Sequence, residues 1–201
     1  LGVFTALRGF GWQGTLVGAM QVWDALAGAA GVAATYEVFR RLRVGTAAAL
    51  AGAAAVAFSC GYWAFACNAE SVTPAAVAAI ATFLATVRAV EGEGWRPWAL
   101  VGVATTAAIL FHISNSVLLL FVGAAALGLK PRAQAARAIV LAWGVAAALV
   151  ASAYGAVAFG VLGITGLRQA RDWVFGTGAH PGFYSSFALR NLLLDAFALG
   201  R

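Results

Sequence analysis

The length of its charge-free runs constrains this chain more than any other feature. From Pro97 to Leu129, 33 residues pass without a formal charge, apart from neutral His112. Gly45 to Cys67 and Ala138 to Ile164 are charge-free throughout. A bilayer core of about 30 Å takes roughly 20 apolar residues per helix. Only 10% of the chain is charged and 63% is hydrophobic, whereas a soluble domain is about 25% charged. A water-soluble fold of 201 residues leaves too much surface exposed to hide so much apolar side chain. These numbers predict an all-α, polytopic transmembrane helical bundle.

Other classes are excluded by the same composition. Two cysteines do not make a disulfide-dense scaffold. Cys60 and Cys67 are seven apart on one helix, beyond the roughly 7 Å Cα separation of a disulfide. Two histidines, neither near a cysteine, argue against a zinc site. The net charge is +6, but 13 basic residues diluted in an apolar chain form no stripe for tracking nucleic-acid phosphates. No phosphate loop, GxGxxG or HExxH motif is present. Met20 is the single methionine and no leader pattern precedes an apolar run, so a piece of a longer protein is expected.

The charges and prolines place about six spans, at 11–39, 45–67, 74–90, 97–111, 117–129 and 138–164. They form a transmembrane region over 1–164. Residues 165–201 read as an outer or interfacial segment, with a further helix starting near Phe187. The 97–129 run would span about 50 Å as one helix at 1.5 Å per residue. Its midpoint is the polar cluster His112-Ile-Ser-Asn-Ser116. Two short helices meeting at that cluster fit better, provided protein or water shields the turn. Small residues such as Gly28 with Gly31, and Gly45 with Gly52, permit close helix approach.

Orientation follows from Lys and Arg. With the first loop inside, inner loops carry Arg40, Arg41, Arg43, Arg88, Arg96, Lys130, Arg132 and Arg137. Arg8, Arg168, Arg171, Arg190 and Arg201 fall outside. Neither outer turn between spans holds a basic residue.

The outer turns are the candidate sites. Glu70, beside Asn68 and Ser71, is placed to coordinate a divalent cation or orient a sugar hydroxyl; alternatively it caps the following helix. His112, among Ser114, Asn115 and Ser116, is placed to contact a phosphate or shuttle a proton; alternatively the cluster satisfies backbone groups at a turn. Arg168, Arg171 and His180, with Asp172, Trp173 and Tyr184, suit a lipid or carrier phosphate; alternatively they form an interfacial belt. Asp24, inside the first span, is a functional candidate by its setting.

Three segments resemble one family. Phe58-Ser-Cys-Gly-Tyr-Trp-Ala-Phe-Ala-Cys-Asn-Ala-Glu70, with the apolar helix ending at Arg88, resembles the span–Glu–span region of GT-C type membrane glycosyltransferases. These include bacterial relatives of dolichyl-phosphate-mannose protein mannosyltransferases. Ala107-Ala-Ile-Leu-Phe-His-Ile-Ser-Asn-Ser-Val-Leu-Leu-Leu120 is similar to a short helix pair of that family. Tyr36-Glu-Val-Phe-Arg-Arg-Leu42 is similar to the span after its catalytic loop. The resemblance covers about Gly11 to Tyr184. It implies sugar transfer from a polyprenyl-phosphate donor to an outer acceptor at a bacterial inner membrane, with membrane lipid as a partner. It also implies that the family's essential Asp precedes Leu1. Glu70 and His112 are the positions it carries over, with unfixed roles. The alternatives are a transporter with Asp24 as coupling acid, and a non-enzymatic membrane subunit.

Overall fold

Helices form wherever the charge-free runs lie, and their ends carry identifiable stops. The computed structural model describes residues 8–9, 11, 13–67 and 72–174, which divide into two compact units, Leu1–Val150 and Ala151–Arg201. The described residues contain no strand. The first unit holds α1 (Leu16–Arg41), α2 (Thr46–Ala57), α3 (Cys60–Cys67), α4 (Val72–Glu91), α5 (Arg96–Phe111) and α6 (Leu118–Leu129). A 3-10 turn at Ile113–Val117 joins the last two. The seventh helix, α7 (Arg132–Gly155), starts in this unit and runs into the second. There a π-helix (Ala156–Val161) and α8 (Leu167–Val174) follow.

Helices α1, α4 and α7 with its π-helical extension are long and apolar enough to cross a membrane; a fourth span results if the bent pair α2–α3 counts as one. α5 and α6 are shorter apolar helices.

Local chemistry explains the boundaries. Thr15 caps α1, its Oγ1 accepting from the Gly18 N–H at 3.1 Å, so α1 begins at Leu16 and not at Gly11. The 45–67 span, expected as one helix, bends by 54° between α2 and α3. Ser59 is the cause. Its hydroxyl donates to the Val56 carbonyl at 3.0 Å and accepts from the Tyr62 N–H at 3.3 Å. One side chain thus ends α2 and caps α3. α7 starts at Arg132, six residues before the expected Ala138. Arg, Ala and Gln are good helix formers, so α7 extends past the apolar boundary. The expected helix near Phe187 lies outside the described residues.

The packing is inside-out relative to a soluble bundle. The buried stripe of α4 is Thr73, Ala75, Ala78, Thr82, Thr86 and Ala89. That of α7 is Ala135, Ala138, Ala142 and Ala146. Many large apolar side chains point outward instead: Phe58 is 82% exposed, Val140 73% and Leu120 68%. Water would penalise so much exposed apolar surface. Lipid does not, and there helices associate through small residues. Four of the buried threonines satisfy their hydroxyls one turn back: Thr82 on Ala78, Thr86 on Thr82, Thr105 on Val101 and Thr106 on Gly102, at 2.7–2.9 Å. A Cβ at Gly102 would fall 2.7 Å from the Ala142 carbonyl oxygen, which fixes a close crossing of α5 and α7. A Cβ at Gly28 would meet that of Ala66 at 3.1 Å, and one at Gly52 the Phe39 ring at 2.5 Å. Gly45 has nothing within 4 Å and marks no such approach.

Three loops gather at one end. Arg41 at the end of α1 bonds Glu37 at 2.8 Å and Glu91 at the end of α4 at 3.1 Å. Arg88 lies 3.6 Å from Glu37. Lys130, after α6, donates to the Gly92 carbonyl at 3.1 Å. The loop cations assigned to one membrane face therefore share one end of the first unit. α1 and α4 both finish there, so they run parallel. α5 leaves from that end and α6 returns to it.

Candidate functional site

The opposite end of the first unit carries the polar turn at 112–116. α5 stops at Phe111 because His112 adopts an extended conformation, φ −153° and ψ 117°. The chain reverses through the 3-10 turn, and Asn115 holds that reversal. Its Nδ2 donates to the Ala108 carbonyl at 2.9 Å and to the Ala75 carbonyl at 3.4 Å. Ala108 is in α5 and Ala75 is in the first turn of α4. One amide therefore pins the hairpin turn against the start of α4. This is the backbone-satisfying role weighed for the cluster, and it accounts for Asn115 without a substrate.

His112 differs from Asn115. Its ring is exposed, and Nδ1 lies 2.5 Å from the Ser114 Oγ. That contact orients the imidazole and leaves Nε2 for another partner. His112 thus differs from Asn115 in keeping one ring nitrogen outside the turn's own bonding.

Asp24 lies on the same side of the bundle. It is eight residues into α1, about 12 Å from the helix start at 1.5 Å per residue, in the first third of a 26-residue helix. It is 2% exposed and shares a face with Gly28 and Gly31. The Tyr62 hydroxyl donates to the Gly28 carbonyl at 2.8 Å. A Cβ at Gly28 would lie 3.8 Å from Cγ2 of Thr73. Thr73 is 2% exposed, and its hydroxyl has no hydrogen-bond partner among the described residues. Asp24, Tyr62 and Thr73 thus belong to the packed junction of α1, α3 and the start of α4. The sequence singled out Asp24 but not Thr73 or Tyr62. Their signal was a hydroxyl beside a glycine-faced helix, which only packing makes visible.

The other candidates are placed as follows. Glu70, Asn68 and His180 lie outside the described residues. Arg168 and Arg171 sit on α8 in the second unit, both exposed and three residues apart, on neighbouring positions of one helix face. Cys60 and Cys67 are both free and exposed. Among the described residues no three His, Cys, Asp or Glu side chains come together to hold a metal ion.

No protein-family model, curated protein or solved structure matches this chain.

Proposed function

We propose that this chain is part of an integral membrane glycosyltransferase of the GT-C type, moving a sugar from a polyprenyl-phosphate donor to an acceptor on the outer side of a bacterial inner membrane. Six spans cross or enter the bilayer in this reading, and α5 and α6 form a short hairpin entering from the cytoplasmic side. One observation carries it: the loop cations Arg41, Arg88 and Lys130 meet at one end, while His112, Thr73 and Asp24 belong to the other. A positive cytoplasmic end then leaves the polar end facing outward, where a lipid-linked donor and an outer acceptor meet.

The reaction forms a bond between the acceptor oxygen and the anomeric carbon and breaks the bond from that carbon to the donor phosphate. A base takes the acceptor proton, and polar groups stabilise the departing polyprenyl phosphate. Glu70 and His112 are the residues of this chain proposed for proton handling. Arg168, Arg171 and His180 are proposed for the phosphate, and Asn68 for the sugar. The family's principal acid is not among them.

A transporter is the second reading. The burial of Asp24 inside an apolar helix favours it. Two substitutions in the protein that carries this chain separate the readings. For the transferase, Glu70→Gln lowers sugar transfer from a polyprenyl-phosphate donor at least tenfold, about 1.4 kcal/mol of barrier, with normal expression. For the transporter, Asp24→Asn abolishes coupled uptake and Glu70→Gln is tolerated. Full transfer by Glu70→Gln removes that residue from the site.

A further inference from the structure

A cavity of about 550 Å³ opens at the cationic end of the first unit, between the α4–α5 loop and the start of α7. Its polar wall is Lys130, Gln134 and Arg137. Gln134 and Arg137, three apart, lie on one face of α7, and Lys130 precedes that helix in an extended conformation. Trp98, 5% exposed, and Leu141 form its apolar floor. Gly92, Glu93, Gly94 and Trp95 form the rim. Gly94 has φ +84°, a left-handed conformation that disfavours any side chain. The loop therefore presents bare backbone to the opening.

The charges in this pocket are only partly used. Lys130 donates once, to Gly92, and an ammonium has two further donors. No hydrogen bond or ion pair engages Arg137 among the described residues. Glu93 supplies the opposing carboxylate. Two cations and one acid leave a single positive charge, which matches a phosphodiester monoanion better than a dianionic phosphomonoester.

A second observation identifies what the anion is attached to. An apolar groove of about 600 Å³ runs along α7, lined by Ala136, Val140, Gly144, Val145 and Ala148. Arg137 and Leu141 line both the pocket and the groove. A polar, cationic pocket therefore borders an open apolar groove on the exposed side of α7. Trp95, 64% exposed at the rim, lies with Arg96 over its ring at 5.9 Å. Such an aromatic–cation pair suits the headgroup level of a bilayer.

We propose that this pocket and groove form a binding site for an anionic phospholipid of the cytoplasmic leaflet. Lys130 and Arg137 hold the phosphodiester, Gln134 and the Gly92–Gly94 backbone face the headgroup hydroxyls, and an acyl chain lies along Ala136 to Ala148. Basic pockets between helices on the cytoplasmic side take lipid headgroups in this way. The site is at the end opposite His112 and does not depend on the transferase reading.

Native mass spectrometry of the detergent-purified chain, titrated with phosphatidylglycerol, tests the proposal. The expected result is one retained phosphatidylglycerol, with apparent affinity at least tenfold weaker in Lys130→Gln/Arg137→Gln and preserved in Lys130→Arg. Arg132→Gln, a neighbouring cation outside the pocket, leaves it unchanged. Gly144 lines the groove and has open space around its Cβ position, so Gly144→Leu, checked for an unchanged melting temperature, fills the groove and lowers phosphatidylglycerol retention. Glycerol 3-phosphate, added as the soluble competitor, displaces the lipid only at large excess. Equal weakening by Arg132→Gln overturns the site in favour of diffuse surface charge. Displacement by equimolar glycerol 3-phosphate, with no effect of Gly144→Leu, overturns the lipid in favour of a soluble phosphate ester.

Discussion

Gly102 faces Ala142 so closely that a Cβ on the glycine would lie 2.7 Å from the alanine's carbonyl oxygen and 2.8 Å from the Cβ of Val145. Backbone, not a flexible side chain, is the obstacle. The crossing of α5 and α7 therefore rests on the absence of one methyl group, and everything the two helices carry, including the Lys130–Arg137 pocket, inherits that spacing.

Gly102→Ala is accordingly expected to destabilise the protein by about 1–3 kcal/mol, the cost of overpacking a filled interior. Gly144→Ala, with nothing within 4 Å of its Cβ position, is the control, neutral or slightly stabilising because alanine is the better helix former. Thermal unfolding in detergent measures both. Equal melting temperatures for the two variants contradict the close crossing.

Asn115 and His112 separate by the same kind of measurement. Asn115→Leu removes two hydrogen bonds that tie the hairpin turn to α4 and α5. A loss of about 1–3 kcal/mol follows. His112→Ala alters an exposed ring and shifts stability by less than about 0.5 kcal/mol. In the transferase reading it lowers turnover while the melting temperature holds. A His112→Ala variant that melts early and turns over normally assigns His112 to the turn.

The orientation is checked by thiol labelling in intact cells, in a Cys60→Ser/Cys67→Ser background. Ile113→Cys, exposed in the hairpin turn, is expected to react with an impermeant reagent from outside. Gln134→Cys is expected to react only after permeabilisation. Labelling of both from outside is incompatible with α5 and α6 entering and leaving on one side.

Much of the helix layout was legible in the residues. The break at His112 was readable because 33 apolar residues overrun a bilayer and the only polar cluster sits at their centre. The helix ends at Arg41 and Glu91 followed from charge. The bend at Ser59 was not legible. A serine in an apolar run is tolerated in a helix, and whether its hydroxyl also caps a following helix depends on how α2 and α3 pack. The role of Asn115 was open for a related reason: its partner Ala75 is 40 residues away in sequence.

The sequence by itself determined that this chain is a set of apolar helices and where their charged ends lie, because membrane affinity is a sum over each segment's own side chains. Only the tertiary structure decided which faces meet. In lipid, leucine and solvent are equally apolar, so the buried face is marked by size and not by polarity. In a chain this rich in Ala and Gly many faces are small enough to pack. The choice of Gly28, Gly102 and the alanine stripe of α7, and with it the meeting of Lys130 with Gly92 at one end and Asn115 with Ala75 at the other, was made by backbone fit between helices.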